Sequence, residues 1–218
     1  MKPLTESPLR DEMKIAIAIK SCHRYADRRY ACEATWIPKL DCDWFFVLGR
    51  DSNGSVLDVP NALNCDVADE FGRMAPKVWC ACKYALEENV QRLFICDDDT
   101  YVCVPRLNAC GMSFQDYVGF VRPAGFDVPY IQGSGYWLSA KAMEHVVAAQ
   151  SVMRPGVIDD GAVGLALDGK VALVHDRRYE PGPDPTRITK ENALITTHKC
   201  LPGVMQQVHA DWMKSCTI

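Results

Sequence analysis

Apolar positions along this chain follow two rhythms, one of period two and one of period three to four. Residues 14–19 (KIAIAI) alternate and are rich in isoleucine, which predicts an opening strand. Residues 25–36 follow as a helix, stopped before Pro38 because the residue preceding a proline is pushed out of helical geometry. Residues 43–48 (DWFFVL) predict a second strand ended by Gly49, and the Gly/Asn/Ser/Asp-rich residues 50–60 a surface loop. Residues 75–89 set Val78, Ala81, Cys82, Ala85 and Leu86 on one face of an amphipathic helix. A short apolar strand comes next, at residues 93–96.

In the second half, residues 116–121 and 135–138 read as strands around a turn-rich middle. Ser139 is placed to cap a helix from residue 140 to about 150, with Glu144 in its first turns. Val157-Ile158 leads into Asp159-Asp160 and a short helix through Leu167; residues 170–174 are a last strand and 180–185 a loop. Strands alternating with helices imply an α/β fold, a largely parallel sheet with helices on both faces. The expected organisation is a polar tail, 1–12, and a single domain, 13–218, with no internal repeat or linker.

Residues 93–102, LFICDDDTYV, carry the most chemistry. A buried strand runs outward and delivers Asp97, Asp98 and Asp99 to its C-terminal edge, where open α/β sheets bind ligands. Three adjacent carboxylates repel one another unless a cation sits among them. Their hard oxygens suit Mn²⁺ or Mg²⁺, typically with a phosphate completing the shell. A solvated acidic turn is the plainer reading of the same residues.

Composition narrows the classes. At 218 residues, 48% hydrophobic and 24% charged, the chain is long enough for one soluble domain with a sizeable core. Net charge is −4 and no long basic run offers itself to a nucleic-acid backbone, although Arg24, Arg28 and Arg29 leave a local contact open. The N-terminal stretch is polar and holds two prolines. No segment reaches the roughly 20 apolar residues of a membrane helix. The expectation is a cytoplasmic protein. Eleven scattered cysteines lack a paired CxxC, which argues against a zinc site. Several sit in apolar runs, so reduced core thiols are expected, with a secreted, disulfide-bonded form as the alternative.

Several segments then fall into one order: Arg29 followed by Thr35-Trp36, the strand WFFVLG (44–49), Lys77 on the helix before the acidic strand, CDDDTYV (96–102), GSGYWLS (133–139), IDDGAVG (158–164) and ITTHKC around His198. Together they resemble the Fringe-like and β1,3-galactosyltransferase-type glycosyltransferases, which have the Rossmann-like GT-A fold. The resemblance runs from Lys14 to about Trp212. Two departures are visible: Glu33 stands where the family usually has a second Arg, and Asp159-Asp160-Gly161 where Glu-Asp-Val is common. The membrane anchor and stem of the Golgi members are also missing, which suggests a soluble bacterial or viral member.

The resemblance implies a metal-dependent, inverting glycosyltransferase using a nucleotide donor, a UDP-sugar. It implies that Asp99 ligates the metal and that Asp97 or Asp98 approaches the ribose or the metal's waters; a strand-end cap is the other reading of Asp97. His198, in the family-like ITTHKC, is the chosen imidazole ligand, with His175 as runner-up. Inversion needs a base, and Asp160 at a helix start is preferred over Asp159, beside the room left by Gly161 and Gly164. An Asp there can equally be a helix cap. Gly133, Ser134 and Gly135 read as a small-residue turn against which a sugar can lie, with Tyr136 and Trp137 as a sugar platform or plain core. Lys77 would offset diphosphate charge; as an exposed helical lysine it can equally have no role.

The acceptor stays open among a glycan, a protein, a small molecule and a modified nucleobase. Two other classes fit parts of the pattern: a catalytically inactive sugar- or nucleotide-binding module, and a metal-dependent nucleotidyl- or phosphoryl-transferase.

Overall fold

The computed structural model describes residues 13–110, 115–123, 127–179, 181 and 193–216. The expected tail, 1–12, and most of the loop at 180–185 lie outside the described residues. The chain runs β1 (Ile15–Lys20), α1 (Ala26–Ala34), β2 (Asp43–Arg50), β3 (Ala62–Ala68), α2 (Met74–Glu87), β4 (Arg92–Asp97), β5 (Tyr101–Val102) and α3 (Val104–Ala109). It continues with β6 (Tyr117–Arg122), β7 (Tyr130–Ser139), α4 (Ala140–Ala148), α5 (Asp159–Leu167), β8 (Leu173–His175), β9 (Thr196–Thr197) and α6 (Pro202–Cys216).

Seven strands form one sheet in the order β3-β2-β1-β4-β7-β6-β8, and β5 pairs with β9 in a separate ribbon. Strands β3, β2, β1 and β4 are mutually parallel, β7 is antiparallel to both neighbours, and β8 is parallel to β6. The mostly parallel α/β sheet expected from the alternation is present. The period of two explains its two-sided core: Ala16 and Ala18 of β1 pack with α2, α4 and α5, while Ile17 and Ile19 pack with α1 and α6 on the other face. Ser139 caps α4 as expected, its hydroxyl accepting from the Ala142 amide at 3.1 Å.

Five elements differ from the sequence reading. Gly49 does not end β2 but sits inside it, at a register shift against β3, where a Cβ would lie 2.7 Å from the Val67 carbonyl oxygen. Strand β3 was not anticipated, because ALNCDVA alternates weakly and is half-exposed. Helices α3 and α6 were missed too; α6 has a weak apolar period and docks through Met205 and Val208. Residues 133–135 lie in the middle of the ten-residue β7, not in a turn.

Candidate active site

The register of the central sheet builds the site. Lys20, last residue of β1, is paired with Asp97, last residue of β4, so a cation and an anion meet at the C-terminal edge of adjacent parallel strands. Lys20 is 2% exposed. Its Nζ lies 2.9 Å from Asp97 Oδ1 and also bonds Asp159 Oδ2 in the first turn of α5. Burial works to lower the Lys20 pKa, yet Asp159 and Asp97 outweigh it and hold it well above the usual value.

Backbone alternation splits the acid triplet. Asp98 turns inward, accepting from Ser21 Oγ at 2.7 Å and from Arg28 Nη1 at 3.3 Å. Burial pushes its carboxyl up to about 6, against the pull of Ser21 and Arg28. Asp97 and Asp99 face His198 instead, and ligand atoms of the three lie within 4.8 Å of one another. The pairing of Tyr101 with Thr197 in the β5–β9 ribbon carries His198 there, and the Cys200 amide donates to the Asp99 carbonyl at 2.8 Å. His198 Nδ1 is engaged with Thr100 Oγ1 at 3.1 Å. Asp99 Oδ1, though 3.2 Å from that nitrogen, is buried and accepts no hydrogen bond. Such an orphaned oxygen beside a second carboxylate and an imidazole fits a divalent cation.

Asp160 Oδ2 accepts from the Gly133 amide at 2.8 Å, and its Oδ1 is buried without a partner. Burial, then the neighbouring Asp159 charge, raise its pKa well above the usual carboxylate range. Gly133 is needed for this convergence: a Cβ there would lie 3.0 Å from Asp97 Oδ2 and 3.1 Å from Asp160 Oδ1. The cavity of about 630 Å³ is walled by the triplet, Asp159, Asp160 and His198, with Arg24, Tyr25, Arg28, Met74, Ile158 and Lys199 among its other lining residues.

Several sequence-predicted residues sit elsewhere or act differently. Lys77 is fully buried rather than exposed, yet it lines the cavity; its ammonium bonds Asp69 and donates to the Ser21 carbonyl at 2.8 Å, so it also props the β1–α1 loop. Burial pushes Asp69 upward, but Lys77 and the His23 and Gly49 amides hold it below the ordinary value. Ser134 donates to the Tyr179 carbonyl at 2.6 Å, and Gly135, at φ +129°, backs onto the Phe94 ring. Tyr136 and Trp137 are core, 0% and 1% exposed. His175 accepts from the Val121 amide at 3.1 Å and packs at a tilt against the Phe120 ring; it does not line the cavity.

Of the basic cluster read from sequence, Arg24 and Arg28 stay together over the Tyr25 ring on the cavity wall, and only Arg29 leaves it. Arg29 is buried against Ser21 and Cys22, and Arg28 bends onto the acids. Sequence reasoning missed Lys20, although a lone lysine closing the apolar run IAIAI was a usable signal.

Solved glycosyltransferases share this architecture. One, involved in glycosylating the major capsid of PBCV-1, superposes with a TM-score of 0.55 at 12% identity, covering 89% of this chain and 98% of its own. The galactosyltransferase LgtC, solved with donor and acceptor sugar analogues, gives 0.51 at 9% identity, over 89% and 95%. The bifunctional glycosyltransferase WbbM gives 0.53 at 9%, over 96% of this chain and 52% of its own. No curated protein sequence matches. The fold is therefore that of GT-A glycosyltransferases. The sequence profile described as Fringe-like matches residues 10–118, and the chain belongs to that family, which with this fold makes it a glycosyltransferase.

Proposed function

We propose that the protein transfers a sugar from a UDP-sugar to an acceptor hydroxyl with inversion, with Mn²⁺ or Mg²⁺ held by Asp97, Asp99 and His198. The observation that carries this reading is the pairing of an orphaned Asp99 oxygen with an orphaned Asp160 oxygen in one cavity. When bound, the divalent cation supplies Lewis-acid stabilisation of the negative charge that builds on the leaving diphosphate.

The chain's own residues do the rest. Asp160, held by the Gly133 amide, takes the acceptor hydroxyl's proton on Oδ1, and its raised pKa makes it a stronger base than an ordinary carboxylate. Lys20 pairs with Asp97 and Asp159, and its charge opposes, without cancelling, the rise in the Asp160 pKa. Asp159 is thus assigned a positioning role and Asp160 the base, while Asp98 braces Ser21 and Arg28. The missing Gly133 side chain lets the Asp97 and Asp160 carboxylates converge on the cavity.

The intact acidic cluster favours catalysis over a binding-only module, and the Asp160 pocket favours glycosyl over phosphoryl transfer. The ten cysteines whose side chains are described are free, which supports a reducing, cytoplasmic setting; among the described residues no helix is long and apolar enough to cross a membrane. Incubation with a panel of UDP-sugars and Mn²⁺ tests the activity. UDP release from one of them is expected; binding without release points to the module, and transfer of phosphate or nucleotide to the third class.

A further inference from the structure

Arg28, on α1, is held in a way that a purely structural arginine is not. One nitrogen, Nη1, serves both carboxylates, at 3.3 Å from Asp98 Oδ1 and 3.2 Å from Asp99 Oδ2. Both contacts are long against the roughly 2.7–2.9 Å of a tight charge-assisted bond. The guanidinium lies over the Tyr25 ring, 3.9 Å from its centroid, and lines the cavity with its side chain 21% exposed. Arg29 next to it is the contrast: 5% exposed and bonded to Ser21 and Cys22 beneath the loop.

The two acids that Arg28 touches are not equivalent. Asp98 is 4% exposed and has a second, shorter partner in Ser21. Asp99 is one of the three side chains that converge on the candidate cation site. A divalent cation arriving at Asp99 would stand a few ångströms from the guanidinium, and like charges at that distance repel strongly in a partly buried site. A cation on the orphaned Oδ1 and Arg28 on Oδ2 would therefore share one carboxylate while repelling each other, and a further anion in the cavity relieves that repulsion.

We propose that Arg28 is a transferable counter-ion. In the cation-free pocket it bridges Asp98 and Asp99; when a divalent cation takes Asp99, the guanidinium keeps Asp98, releases Asp99 and turns to the diphosphate of the donor. The stacked Tyr25 ring is the pivot, holding the planar group at the cavity wall through the exchange. The role rests on the donor-site reading above and adds to it an order of events: cation first weakens the Arg28–Asp99 contact, and the nucleotide then receives the freed charge.

Two equilibrium measurements on Arg28→Gln test this. Mn²⁺ binding without nucleotide, followed by the electron paramagnetic resonance of free Mn²⁺, should tighten by about three- to tenfold, because a competing positive charge is gone. UDP binding at saturating Mn²⁺, followed by calorimetry, should weaken by about ten- to a hundredfold, the loss of a charge-assisted contact. Unchanged Mn²⁺ affinity, or unchanged UDP affinity, overturns the exchange. A crystal of the wild-type protein with Mg²⁺ and UDP decides it without any variant. The guanidinium should then lie within hydrogen-bond reach of a phosphate oxygen, and finding it still on Asp99 sinks the proposal. If the wild-type protein binds neither Mn²⁺ nor UDP, the donor-site reading fails and Arg28 falls with it; normal wild-type binding with an unaltered Arg28→Gln removes Arg28 alone.

Discussion

The amide of Gly133 donates to Asp160 Oδ2 at 2.8 Å, tying the middle of β7 to the first turn of α5. Because of that bond, the α5 carboxylate stands beside the end of β4, and the missing Cβ keeps Asp97 and Asp160 from being pushed apart. The neighbouring Gly135 serves a different purpose, since its vacant position faces the Phe94 ring in the core.

The two glycines should separate function from stability. Gly133→Ala should lower sugar transfer by tenfold or more with a small change in thermal midpoint, because its Cβ meets movable carboxylate oxygens at 3.0 and 3.1 Å. Gly135→Ala should lower the midpoint, since its Cβ would sit 2.5 Å from the Phe94 ring at a φ of +129°. Thermal melts and transfer assays on both variants check the split; equal behaviour contradicts it.

Asp160 as base predicts a specific pH profile. Asp160→Asn should reduce transfer by about 10²- to 10⁴-fold with UDP-sugar affinity nearly unchanged. Burial, then Asp159, raise the Asp160 pKa, so the acid limb of transfer should lie above the ordinary carboxylate value of about 4. A base works only when deprotonated; a raised pKa therefore moves the loss of activity to higher pH. Asp159→Asn removes the like charge and should shift that limb down. A profile that stays put in Asp159→Asn, or near-normal transfer by Asp160→Asn, reassigns the base.

Lys20 is the cation on which the carboxylate cluster depends. Lys20→Met leaves Asp97 and Asp159 without their shared partner and should destabilise the cation-free protein by about 3–5 kcal/mol, the usual cost of stranding a buried charge. Urea unfolding measures it. A loss under 1 kcal/mol would mean that water reaches both acids freely.

Asp99→Ala should abolish the stabilisation by Mn²⁺ while keeping the fold, because the residue lies in the turn past β4 rather than in either apolar core. The readout is the rise in thermal midpoint with added Mn²⁺. A variant that still responds as the wild type does moves the cation elsewhere.

Thiol titration of the unfolded, non-reduced protein should find most of the eleven cysteines free. Recovery of three disulfides or more would place the protein in an oxidising compartment.

Much of this architecture was written in local pattern. The alternation in KIAIAI and the apolar run before the acid triplet specify strands buried on two faces, because side-chain direction in a strand alternates whatever its neighbours are. The position of the triplet at a strand end followed from the same pattern, and the order of short motifs carried the family. What periodicity cannot encode is which strands lie side by side. Lys20 meets Asp97 only because β1 and β4 pair in that register, and His198 reaches Asp99 only because Thr197 pairs with Tyr101. The burial of Lys77, the inward turn of Asp98 and the placing of GSG within β7 are likewise outcomes of packing between segments far apart in the chain. A charge in a sequence looks solvated until tertiary contacts remove the water around it, and in this protein that removal, decided by sheet register and helix docking, turns scattered acids and bases into one site.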